Sequence, residues 1–146
     1  MGSVGHSCCL AIIGATILLT VMVLPAPGQG WQPLASGLDG PVFCLAVYGD
    51  ELYAGGSFTM AGGVSASNVA RWNGSTWSPA GAGTNDTVHT LFVHEGFLYA
   101  GGSFTACGGL PCNAIARWDG AAWSPVGTGV NGPVRAMTGY LGTLYA

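Results

Sequence analysis

From Trp31 onward, apolar and polar residues alternate in short runs broken by Gly, Asn and Asp, with no helical period. Residues 41–48 (PVFCLAVY) are rich in β-formers, and apolar Val42, Leu45 and Val47 recur one copy later. This predicts a first strand, matched by 87–94 and 133–140. Gly49-Asp50-Glu51, or Glu95-Gly96-Phe97, turns the chain into a second strand with the sequence LYAGGSF. The Gly-rich stretch MAGGVSAS at 60–67 reads as a loop. A third strand over 68–72 ends at Asn73-Gly74, and in the next copy at Asp119-Gly120. Such dipeptides between hydrophobic runs signal a hairpin, because a type I′ turn takes φ > 0 at both central residues. A fourth strand, 76–79, carries Trp77.

These elements recur. Trp31, Trp77 and Trp123 stand 46 residues apart, and Tyr53, Tyr99 and Tyr145 keep the step. Residues 31–76 align with 77–122 without a gap and share 20 of 46 positions, and a third copy runs from 123 to 146. The shared blocks are Trp-x-Pro, Leu-Tyr-Ala-Gly-Gly-Ser-Phe-Thr (with Gly55, Gly56, Gly101 and Gly102) and Ala-Arg-Trp-[Asn/Asp]-Gly (Arg71-Trp72, Arg117-Trp118). A four-stranded meander in tandem copies of this length predicts an all-β fold: a partial β-propeller of about two and a half blades. The Gly-Gly of the second strand and the Trp of the third resemble a kelch-type blade. The run LYAGGSFT…ARW[N/D]G is similar to the extracellular repeats of the fungal cortical cell-polarity marker family and of secreted bacterial repeat proteins. The resemblance covers 31–146; it implies a propeller and leaves activity open, since propellers host many functions.

The chain begins differently. No Asp, Glu, Lys or Arg occurs before Asp39, and the 17-residue apolar run Cys8–Leu24 is followed by Pro25-Ala26-Pro27-Gly28. This predicts a hydrophobic helical segment over 1–28 acting as a signal peptide cut before Gln29; an uncleaved membrane anchor is the competing reading. Residues 29–146 are then the repeat domain. Closure takes four to eight blades, so the chain reads as truncated, with blades missing from the full-length protein. Six acids, three arginines and no lysine give a formal charge of −3, unsuited to a nucleic-acid backbone. The implied location is secreted or cell-surface, and the implied partner is a protein or glycan.

Candidate chemistry is sparse. Cys107 and Cys112, in ACGGLPCN, replace Ala61 and Ala66; in an exported protein this spacing suggests a disulfide, and two free thiols are the alternative. Cys44 reads as a small core residue. Residues kept in every copy are assigned to the frame: the Trp, Tyr, Arg and Gly positions above, with each arginine packed on an aromatic ring or bonded between blades. Positions that differ between copies are better ligand candidates. His89 replaces Phe43 and Arg135, and His94 replaces Tyr48 and Tyr140; their spacing on one strand keeps them from chelating one ion. Asp39, Asn85 and Asn131 precede each first strand and suit an Asx turn or calcium. Asn73-Gly74-Ser75 and Asn85-Asp86-Thr87 fit the glycosylation sequon. No catalytic, cofactor or metal set is assigned. The leading reading is a binding or structural module; the second is a fragment of an extracellular enzyme, such as a galactose-oxidase-like copper oxidase.

Overall fold

The computed structural model describes residues 34–146, and the apolar leader with its expected helix, together with Trp31, lies outside the described residues. The described chain is all-β. The first repeat forms a four-stranded antiparallel sheet in the order β1 (Val42–Tyr48), β2 (Glu51–Gly56), β5 (Val69–Trp72), β6 (Trp77–Pro79). The second repeats it with β7 (Val88–His94), β8 (Phe97–Gly102), β11 (Ile115–Trp118) and β12 (Trp123–Pro125). Each Trp that opens a sequence copy therefore completes the sheet before it: Trp72 pairs with Trp77, and Trp118 with Trp123.

Three expectations need correction. The segment 60–67 is not a loop but a small hairpin, β3 (Met60–Ala61) with β4 (Val64–Ser65), repeated as β9 (Ala106–Cys107) with β10 (Leu110–Pro111). Its turns are Gly62-Gly63 and Gly108-Gly109, all at positive φ, so the glycines make a two-residue hairpin turn here. By contrast, Asn73-Gly74 does not form a two-residue turn. Four residues separate Trp72 from Trp77, and Asn73 Oδ1 accepts the backbone N–H of Ser75 and Thr76 at 2.9 Å each. The Asx side chain replaces the backbone geometry expected of type I′. Finally, the first strand of the third copy shrinks to β13 (Thr138–Tyr140), paired with β14 (Thr143–Tyr145).

One contact sets how consecutive units meet. In the first unit Val42 pairs with Gly56 and Cys44 with Gly55, leaving Phe43 as an extra, bulged residue; His89 is bulged likewise in the second. Val88 and Leu91 of the second unit then seat over Gly55, where a Cβ would fall 2.7 Å from Val88 Cγ1 and 3.3 Å from Leu91 Cδ1. Val134 of the third copy crowds Gly101 in the same way. The missing side chain of a glycine is thus the socket for the next unit's valine. Val88 is fully buried and Leu91 only 7% exposed, whereas Val42 and Leu45, which have no such neighbour among the described residues, are 40% and 59% exposed. Burying each of these side chains is worth about 1.5–3 kcal/mol.

Polar bonds repeat the same step. Tyr48 donates to Gly96 O at 3.1 Å, and His94 Nε2 lies 3.3 Å from Gly142 O. The indoles of Trp77 and Trp123 donate to Leu34 O and Ala80 O, each 43 residues upstream. Inside the joint, Trp118 Nε1 donates to Tyr53 Oη at 3.2 Å, both side chains buried.

The socket predicts a substitution pair. Gly55→Ala should destabilise by about 1–3 kcal/mol, as overpacking of a filled core does. Gly132→Ala, at a site open on all sides and free of positive φ, should stay within about 0.5 kcal/mol of wild type. Urea denaturation of the two variants checks this, and equal midpoints would contradict the socket.

Candidate functional site

Most repeated residues belong to the frame. Arg71 Nη1 lies 3.2 Å from Glu51 Oε2, and Arg117 lies 4.5 Å over the ring of Phe97. Glu51 and Phe97 are equivalent positions, so one arginine site serves a carboxylate in the first copy and an aromatic face in the second. Both contacts stay within one sheet rather than bridging units. Tyr53 joins the inter-unit joint, while the half-buried Tyr99 lies 6.3 Å from the ring of His94. Trp72 packs against Trp77 and Trp118 against Trp123 in tilted pairs with centroids 5.5 and 5.2 Å apart. Gly55 and Gly101 are the sockets, and the backbone of Pro41 and Thr87 leaves no room for a side chain at Gly56 and Gly102.

The recurring Asp/Asn is a turn device. Asp39 Oδ1 accepts the N–H of Thr59 and Met60 at 2.9 and 2.8 Å, and Asn85 Oδ1 accepts those of Thr105 and Ala106 at 2.9 Å each. The side chain anchors the small hairpin to the segment before the first strand. Asp39 also accepts the Thr59 hydroxyl at 2.7 Å, and Asn85 Nδ2 donates to Thr105 Oγ1 at 3.0 Å. The amide needed for glycosylation at Asn85 is thereby engaged in the frame.

Cys107 lies on the first arm of the second small hairpin and Cys112 directly follows the second, with Cys112 N bonded to Thr105 O. Their thiols are unbridged, buried and in contact, and Cys112 Sγ donates to Ile115 O at 3.1 Å. Burial pushes both thiols above the usual range. Cys44, half-buried at the joint, is raised by desolvation to about 11. Ala61 and Ala66, the first-copy equivalents, are buried as well, so the sulfurs occupy positions the fold otherwise fills with methyl groups.

The position with the most varied chemistry is the bulge. Phe43 and His89 are the unpaired residues at the start of β1 and β7, where a bulge turns a side chain out of the ladder. Their rings lie 5.9 Å apart across the joint, tilted by 48°. His89 Nε2 is 2.9 Å from Ser103 Oγ. Arg135, exposed, follows Val134 as His89 follows Val88, and both valines seat on equivalent glycines. Beside Ser103 opens a cleft of about 360 Å³ lined by Thr105, Asn113, Asn131 and Pro133 among others. Sequence variation between copies pointed to position 89; nothing in the sequence marked the bulge that turns it outward. His94, the other histidine variant, sits at the far end of β7 among Phe92, Tyr99 and Gly142 and serves the joint. Comparison with protein-family models, curated proteins and solved structures gives no match.

Asp39 makes the turn acid-sensitive. The Thr59 hydroxyl, then the Met60 and Thr59 amides, hold its carboxyl below the usual range. Its contribution is therefore complete above about pH 4, the unfolded value, and is lost as pH falls through the lower folded value. Asp39→Asn, which installs the second copy's own residue, should keep the turn and flatten the loss of stability below about pH 4. Melting curves between pH 2 and 6 compare the two; parallel declines would contradict it.

Proposed function

We propose that this chain is a secreted or surface-exposed repeat module of the propeller kind, with a binding role rather than an enzymatic one. The observation that carries the reading is the contrast between frame and bulge. Twenty of 46 aligned positions are held fixed, and the indole bonds of Trp77 and Trp123 and the bonds of Tyr48 and His94 recur one copy apart. Against that frame, the equivalent positions of three successive copies carry Phe43, His89 and Arg135, the first two bulged out of their strands and the third exposed. Binding proteins built from repeats place ligand contacts on such variable positions while invariant residues hold the array. Kelch-like resemblance in the LYAGGSFT and ARW[N/D]G blocks supports the propeller reading, and the apolar run Cys8–Leu24 supports export.

Export would also decide the state of the cysteines, since an oxidising compartment closes adjacent thiols. The chain expressed with a C-terminal tag should be recovered from the exported fraction with Gln29 as its first residue. Peptides spanning Cys107 and Cys112 should be lighter by two hydrogens before reduction, and Cys44 should resist alkylation near pH 8. Intact membrane-embedded protein starting at Met1 or Gly2, with both loop thiols alkylated, would contradict the reading.

A further inference from the structure

The residues that follow Val42, Val88 and Val134 form more than a list of variable residues. Phe43 and His89 touch across the first joint, and the seating of Val134 on Gly101 repeats the seating of Val88 on Gly55. The residue after each valine is carried by the same anchor, so Arg135 continues the line that Phe43 and His89 begin. We propose that Phe43, His89 and Arg135 form one binding strip for a saccharide bearing a carboxylate, extended by the polar cleft beside Ser103. This rests on the binding-module reading above.

The chemistry of each member selects the ligand class. Phe43 is 54% exposed and offers a flat apolar face, the surface that stacks on the C–H face of a sugar ring. His89 is held by Ser103 through Nε2, and Nδ1 has no hydrogen-bond partner among the described residues. Arg135 makes no ion pair among the described residues, and its planar fork matches a carboxylate through two parallel hydrogen bonds. The cleft that adjoins Ser103 is lined by Ser103, Thr105, Asn113 and Asn131 among others, polar residues of the kind that partner sugar hydroxyls. Asn113 Nδ2 already donates to Thr128 O, leaving its carbonyl oxygen as acceptor.

Charge density narrows the choice further. A chain with three arginines, no lysine and a net charge of −3 repels a densely charged polyanion. Of the three arginines, Arg71 and Arg117 are already engaged with Glu51 and Phe97. One free guanidinium on the strip suits one carboxylate at a time. The strip draws one residue from each successive copy, which fits a segment of an extended chain rather than an enclosed small molecule.

The test is calorimetric titration of the full exported chain with a short galacturonic-acid oligomer and with the same oligomer after reduction of its carboxylates. The acidic oligomer should bind, with affinity falling as salt rises, and the reduced form should bind at least tenfold more weakly. Arg135→Gln and Phe43→Ala should each weaken binding about tenfold, and His89→Phe should weaken it while leaving the melting temperature unchanged. In NMR spectra the imidazole signals of His89 should move on titration and those of His94 should not. Equal binding of the reduced oligomer, lost in Phe43→Ala and His89→Phe, would overturn the carboxylate and leave the strip. Binding indifferent to all three substitutions, or no saccharide binding at millimolar concentration, would overturn the strip itself.

Discussion

Everything in the described chain depends on a valine of one unit filling the space that a glycine of the preceding unit leaves empty. Val88 over Gly55 and Val134 over Gly101 are the same contact one repeat apart. Because the socket is defined by an absent side chain, it admits one register: the next unit must arrive with its first strand at that glycine. The surrounding bonds, Tyr48 to Gly96, His94 to Gly142 and Trp118 to Tyr53, then fall into place. Hydrophobic burial supplies the driving force at the joint, and the hydrogen bonds fix the alignment.

This arrangement separates two kinds of residue. Those that enter the joint or the turns are held nearly constant, and where they change, the change is absorbed locally. Glu51 becomes Phe97 and the facing arginine trades an ion pair for a ring. Asp39 becomes Asn85 and both accept the same pair of amides. Asn68 donates to Thr84 O, and when Ala114 takes its place the neighbouring Asn113 donates to Thr128 O instead. The bulge escapes these constraints because its side chain leaves the ladder. Phe43 and His89 can replace one another there without disturbing the frame.

Much of the architecture was legible before any coordinates. The 46-residue step marks the units, and β-rich runs locate four strands in each of the first two within one or two residues, while the third copy's first strand begins five residues later than expected. The phase was legible too, since Trp77 reads as the last strand of the unit it closes. The failures have physical causes. The segment 60–67 reads as a loop because its glycines supply the φ > 0 of a loop and of a tight hairpin alike. Asn73-Gly74 was given a backbone turn where the Asn side chain builds one instead. His94 reads as a ligand candidate because it varies between copies; its contact with Gly142 O across the joint depends on tertiary structure that no local pattern encodes. The bulge at Phe43 and His89 was invisible for the same reason, since strand alternation alone does not show which residue drops out of register.

If the valine–glycine joint governs the structure, the two four-stranded sheets should open together rather than one at a time. Native-state hydrogen exchange measures this directly, because amides that share an opening event share a free energy. The account predicts that the central amides of β2 and β5 and those of β8 and β11 exchange with one common free energy and one common denaturant dependence. Gly55→Val should then separate them into two groups. Two distinct opening energies in the unmodified chain would contradict the claim that the socket couples the units.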